Sequence, residues 1–232
     1  MSERTGEGQY HYQVYELGER PVASVIQRVY AHLADLSEGS WVLDLGCGTG
    51  RFALNAPLPR VFRVLGIDQS PIAVARFQEA INSDGRTDEV QVGNITDLRL
   101  PKGREFRGAV SWRVIHALDF QQQRQVLDQV SQVLPAQASF FLAVASNQDW
   151  KVEELKARHD FNPFGLNDCG KIMGLEEPFK VHFFDQDQLE GLVTPEGFRV
   201  VQVESFTEPS GFDHLRQTHP DNTYLFAHLI NA

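Results

Sequence analysis

Positive charge is in short supply: 21 Lys and Arg stand against 31 Asp and Glu, for a formal net charge of -10 at pH 7. Phosphate backbones are held by clustered Lys and Arg, so the deficit argues against nucleic acid as a partner and for a small or neutral one. Cysteine is scarcer still, with two in 232 residues. That is too few for a disulfide framework, and a bridge from Cys47 to Cys169 would obstruct the glycine-rich segment in which Cys47 lies. No run approaches the ~18 to 20 apolar residues needed to span a bilayer. The N-terminus, Met1 to Gly18, carries Glu3, Arg4, Glu7 and Glu16 and lacks the apolar core of a signal peptide. These shortages lead to the expectation of a soluble, cytoplasmic protein with no membrane partner. Apolar residues are plentiful by contrast, at 42%, enough for the core of one large α/β domain over 1–232.

Short β-branched runs alternate with segments of helical period, the pattern of a mostly parallel sheet with helices on both faces. Val22, Ile26, Val29, Leu33 and Leu36 share a helix face behind Pro21. Trp41 to Leu45 reads as a central first strand entering a glycine loop, and Val61 to Ile67 as a second strand ending at Asp68. Ser70-Pro71 starts a helix that buries Val74, Phe77 and Ile81. Short strands follow at Val90 to Val92 and Gly108 to Trp112, then a helix with Val126, Leu127, Val130, Val133 and Leu134 inward, then a strand from Ser139 to Ala145. From Asn147 to Phe184 the chain reads as irregular, too long for an ordinary connection, and is expected to be a lid or substrate-contacting insertion together with residues 1–20. Asp185, with Gln188 three positions on, caps a last helix. Gly197 to Val203 and Thr223 to Ile230 are expected to form an antiparallel hairpin at the sheet edge.

Gly46, Gly48 and Gly50, directly after a buried strand, let the backbone turn sharply and approach a ligand with no Cβ in the way. Arg51 stands where the dinucleotide fingerprint Gly-x-Gly-x-x-Gly has its last glycine, which separates the loop from a nicotinamide site. A carboxylate at Asp68 can accept hydrogen bonds from both hydroxyls of a ribose. Polar groups in Val92 to Leu98 can meet the amino group of an adenine.

Val42 to Gly50, Gly66 to Ser70, Gly93 to Leu98 and Ala109 to Leu118 resemble the successive motifs of class I S-adenosylmethionine-dependent methyltransferases. The resemblance implies a Rossmann-like seven-stranded sheet and S-adenosylmethionine as cofactor. It implies that Asp44, Gly46, Gly48 and Gly50, with Cys47 among them, surround the methionine part, that Asp68, followed by Gln69, holds the ribose, and that Asn94 and Ile95 flank the adenine. The family usually has Asp where this chain has Asn94, so Asn94 and Asp97 are both candidates for the adenine amine. Trp112 follows the fourth strand, at the carboxyl edge where open α/β sheets bind ligands. A looser similarity in the late His-Phe-Phe and Gly-Phe-Arg-Val segments points to small-molecule and tellurite-resistance-type methyltransferases.

The expected reaction is methyl transfer to a small organic acceptor through an O, N or S nucleophile, since a sulfonium methyl is already activated and the protein mainly aligns the reactants. The rival reading is a protein of the same fold that binds S-adenosylmethionine for a non-methylating catalytic or regulatory role. Candidate acceptor contacts are Tyr12, Tyr15, Arg113, His116, Phe164 and His182. His116 is the candidate catalytic base, because a neutral imidazole can take a proton near physiological pH. Asp213, His214 and His219 match no compact ligand spacing, and no metal is expected.

Overall fold

The computed structural model describes residues 24–209 and 221–232; Tyr12, Tyr15, Pro21, Val22, His214 and His219 lie outside them. The chain divides into two compact units, Met1–Gly108 and Ala109–Ala232. Seven strands form one sheet in the order β3-β2-β1-β4-β5-β9-β8, and β6 and β7 pair separately.

In the first unit the elements are α1 (Ser24–Leu33), β1 (Trp41–Leu45), α2 (Arg51–Asn55), β2 (Arg63–Asp68), α3 (Pro71–Ser83) and β3 (Glu89–Val92). The three strands are parallel, with Asp44 opposite Gly66 and Asp68 opposite Val92. Val42 to Leu45 and Val64 to Asp68 are buried on both faces, as strands covered by helices must be. α1 turns Val25, Ile26, Val29, Tyr30 and Leu33 inward. Leu36 falls beyond the helix end and is half-buried. α3 begins as the sequence predicts, with the Ser70 hydroxyl accepting from the Ala73 amide at 3.3 Å and Pro71 in the first turn. Its inward face is Ala73, Phe77 and Ile81, one position from the expected Val74, which is half-buried.

β4 (Phe106–Trp112) leads into the second unit, followed by α4 (Phe120–Val133), β5 (Ser139–Ala145), α5 (Trp150–Ala157), β6 (Asn167–Asp168), β7 (Lys180–Val181), α6 (Gln186–Val193), β8 (Phe198–Pro209) and β9 (Asp221–Asn231). α4 and α6 each start with a reciprocal capping box, Asp119 with Gln122 and Asp185 with Gln188. β9 is antiparallel to both β5 and β8, so the expected edge hairpin forms, with arms longer than its apolar cores suggested.

The segment 147–184 is more ordered than its composition implied. Asp149 caps α5 by accepting from the Lys151 amide at 3.0 Å, and the chain then makes the β6–β7 pair. Asn167 closes the turn from inside, accepting from the Asn162 amide at 2.6 Å and donating to the Asn162 and Gly165 carbonyls at 2.9 Å. These side chain to backbone bonds replace the ladder that a periodic pattern would have advertised.

Candidate cofactor and acceptor site

In the first unit the loop after β1 turns on three left-handed glycines, Gly46 (φ 70°), Gly48 (φ 55°) and Gly50 (φ 88°). The Gly46 and Cys47 amides both donate to the Ile67 carbonyl, at 2.7 and 3.1 Å, which ties the loop to the end of β2. Asp68 completes the tie. Its Oδ2 accepts from the Gly48 amide and its Oδ1 from the Ser70 amide, each at 2.9 Å. Gly50 has an internal reason to be glycine, since a Cβ there would lie 2.2 Å from the Phe77 ring. Gly66 has another, because its Cβ would lie 2.7 Å from the Cys47 sulfur.

Asp44 is the electrostatic centre of this half. It is 2% exposed, and its Oδ2 is buried without a hydrogen-bond partner among the described residues. Burial, and then the charges of Asp68 and Asp88, push its pKa up to about 8. Burial likewise raises the Cys47 thiol well above its ordinary value, with Asp44 and Asp68 adding to it, so this cysteine is no thiolate nucleophile. A buried, unpartnered carboxyl is costly unless something cationic completes it.

The segment after β3 is a polar turn. The Asn94 Oδ1 accepts from the Thr96 amide and hydroxyl, both at 2.9 Å, while Asp97 pairs with Arg99 at 2.9 Å in solvent. Ile95 is buried between them, and Gln69 is exposed at the start of α3.

The second unit gathers several predicted acceptor residues. Arg113 holds a left-handed backbone (φ 64°), uncommon for a non-glycine residue and concentrated at functional sites. Its Nη1 lies 2.8 Å from the Glu208 carboxylate, and its guanidinium carbon 5.1 Å above the Tyr224 ring. Trp112 packs on Phe206 and Phe226, with its buried indole N–H unpartnered among the described residues. His116 is buried in a 3-10 turn, and its Nδ1 accepts from the Ala145 amide at 3.1 Å. A neutral ring accepting at Nδ1 carries its proton on Nε2, which makes it a donor there and not a base.

His182 is joined to His116, donating its backbone amide to the His116 carbonyl at 2.7 Å. Its Nδ1 lies 3.3 Å from the Gln123 side-chain nitrogen, which also donates to the Leu118 carbonyl. The amide nitrogen is therefore the donor, and His182 too has its proton on Nε2, buried and without a partner among the described residues. Burial lowers its pKa, so the ring is neutral. Phe164, by contrast, is 80% exposed and lines nothing here. Asn147, Val152, Phe161, Pro163 and Phe183 border a cavity of about 80 Å³, far smaller than a typical ligand pocket.

Residues 42–137 match the family model for a methyltransferase domain. The matched span takes in the glycine loop with Asp44 and Asp68, and it is similar to a methyltransferase domain. A SAM-dependent methyltransferase from Methanosarcina mazei shares 21% identity over 90% of this chain and 98% of its own, with a TM-score of 0.70. Magnesium protoporphyrin IX methyltransferase from Synechocystis PCC 6803, solved with bound SAH, shares 14% over 97% and 94%, with a TM-score of 0.63. Protein arginine N-methyltransferase 1 of Dictyostelium discoideum is 24% identical over 183 residues, 72% of this chain. The chain spans about half the length of that curated relative, 52%.

The second unit also holds polar groups that the sequence did not signal. Glu208 lies beyond the apolar stretch of β8, and Asn222 before that of β9. Asn222 accepts from the buried Lys151 ammonium at 2.6 Å, and Lys151 pairs with Asp149 at 2.7 Å. The Asp149-Trp150-Lys151 cluster could have been flagged as a cap, but its partner Asn222 is 71 positions from Lys151 and carries no local signal.

Proposed function

We propose that the protein transfers the methyl group of S-adenosylmethionine to a small organic acceptor. The observation that carries the cofactor half is the pair of carboxyl groups at the strand ends beside the glycine loop: Asp68 holding the Gly48 and Ser70 amides, and Asp44 buried with an unanswered oxygen. The cofactor supplies a methyl group already activated on a sulfonium. Asp68 binds the ribose hydroxyls, Asp44 answers a cationic group, Ile95 packs against the adenine, and Gly46, Cys47 and Gly48 offer close-approaching backbone.

For the acceptor, the second unit offers an aromatic wall at Trp112, Phe206 and Tyr224, the Arg113–Glu208 pair, and two unpartnered donors, Trp112 Nε1–H and His182 Nε2–H. An apolar body with a hydrogen-bond-accepting oxygen or nitrogen suits such a lining. His116 then orients, through its bonds to Ala145 and His182, and does not remove a proton. The protein works in the cytoplasm, consistent with two buried, unbridged cysteines.

A second reading, an arginine side chain as acceptor, is favoured by the 24% identical arginine methyltransferase and by the charge of -10, which suits a cationic substrate. Incubating the protein with labelled S-adenosylmethionine and a cell extract separates the two. Label in a filtrate compound that separates chromatographically from S-adenosylmethionine, and is absent without the protein, supports the first reading; label in precipitated protein supports the second; and label in neither argues against methyl transfer.

A further inference from the structure

Asp44 has more neighbours of its own sign than a binding residue needs. The titratable groups that interact electrostatically with it are Asp68 at the end of β2, Asp88 in the turn before β3, Cys47 in the loop and Tyr30 in α1. None of them supplies a cation. The Tyr30 hydroxyl is spent on the Phe52 carbonyl at 2.7 Å. The arginines whose charge reaches Tyr30 are Arg51, Arg60 and Arg86. Arg60 is paired with Asp88, Arg86 donates to the Ala53 and Leu54 carbonyls at 2.9 and 2.8 Å, and neither they nor Arg51 is among the charges that act on Asp44. A fully buried carboxylate with no countercharge and an unpartnered oxygen would be strongly disfavoured, whereas the neutral acid is tolerated.

We propose that Asp44 stands as the neutral acid in the empty site and releases its proton to solvent when a cationic group of the cofactor binds, so that cofactor affinity is coupled to pH through this one residue. The proposal rests on the S-adenosylmethionine reading. No bond other than O–H breaks: the proton leaves Oδ, and the carboxylate's charge is balanced by the arriving cation. Asp44 thus selects for positive charge. A neutral ligand of the same shape would leave the acid protonated and gain nothing from it. S-adenosylhomocysteine, which has lost the sulfonium charge and kept its ammonium, tests which of the two charges Asp44 answers.

The direct test is a carbon-13 carboxyl NMR titration of the wild-type protein, with the Asp44 signal assigned by Asp44→Asn, without ligand and with saturating S-adenosylmethionine. The expected result is a midpoint near 8 for the empty protein and a carboxylate already ionised at pH 6 with the cofactor bound. Calorimetry gives a second readout. Affinity should rise about tenfold per pH unit between pH 6 and 7, with about one proton released per binding event. Asp44→Asn should show neither. The cofactor's own α-amino group, which titrates at about 7.7 to 8.0, contributes equally to both proteins and cancels in the difference. An Asp44 signal ionised at pH 6 in the empty protein, or the same proton count in wild type and Asp44→Asn, would overturn the proposal. Absence of binding at every pH would overturn the cofactor reading and the proposal with it.

Discussion

On the proposed reading Asp68 does two jobs with one carboxylate, and two measurements tell them apart. Asp68→Ala should weaken S-adenosylmethionine binding by about 1.5 to 3 kcal/mol, the range for hydrogen bonds to a charged group. It should also lower the melting temperature of the empty protein, because the Gly48 and Ser70 amides lose their acceptor. Unchanged affinity in calorimetry would remove it from the ribose. For Asp44 the sign runs the other way. Its pKa is raised from 3.8 to about 8 in the folded state, so across that window the folded protein holds a proton that the unfolded chain has released, and stability falls as pH rises. Asp44→Asn should raise the melting temperature more at pH 8 than at pH 5; an equal change at both would contradict the buried acid. His116→Ala should reduce turnover less than the ~100-fold minimum expected for loss of a general base, and leave the pH–rate profile in place. The sequence marked Asp44, Asp68 and His116 by position alone. It could not show that an amide from β5 would take the Nδ1 of His116 and fix its tautomer.

Among the elements, those with a strong period or a cap were legible: β1 and β5 match their expected spans, and Asp185 with Gln188 caps α6 as read. Asp185→Ala should cost about 1 kcal/mol, the usual cost of losing such a cap, measured by denaturant unfolding. The segment 147–184 was illegible because its order comes from side chains bonding to the backbone and from pairing across a long loop. Asn167, Cys169, Met173 and Val181 are buried, whereas residues 159–166 are largely exposed. Hydrogen exchange should therefore be fast over 159–166 and slow over 167–173 and 181–184 even without ligand. Uniformly fast exchange through Phe184 would restore the reading of the whole segment as a mobile lid. The glycine loop carries a similar lesson. Gly50 looked like ligand clearance, yet its φ of 88° and the Phe77 ring already require glycine, so loss of binding in Gly50→Ala would report on folding as much as on the cofactor.

At the scale of the whole molecule, the seven-stranded sheet with its antiparallel β8–β9 edge was readable from the alternation of strands and helices, since buried parallel strands leave continuous apolar runs. The acceptor was not, because methyl transfer from a sulfonium asks for alignment more than for a fixed set of catalytic groups. No helix among the described residues is long and apolar enough to cross a membrane. The cofactor is thus the half of the reaction that the fold and the glycine loop speak to. Calorimetric titration of the full chain at pH 8 with S-adenosylmethionine, and in parallel with NAD, tests it most directly. Saturable one-to-one binding of S-adenosylmethionine, weakened in Asp68→Ala, with no heat from NAD, is the predicted result; binding of NAD, or of neither, would contradict it.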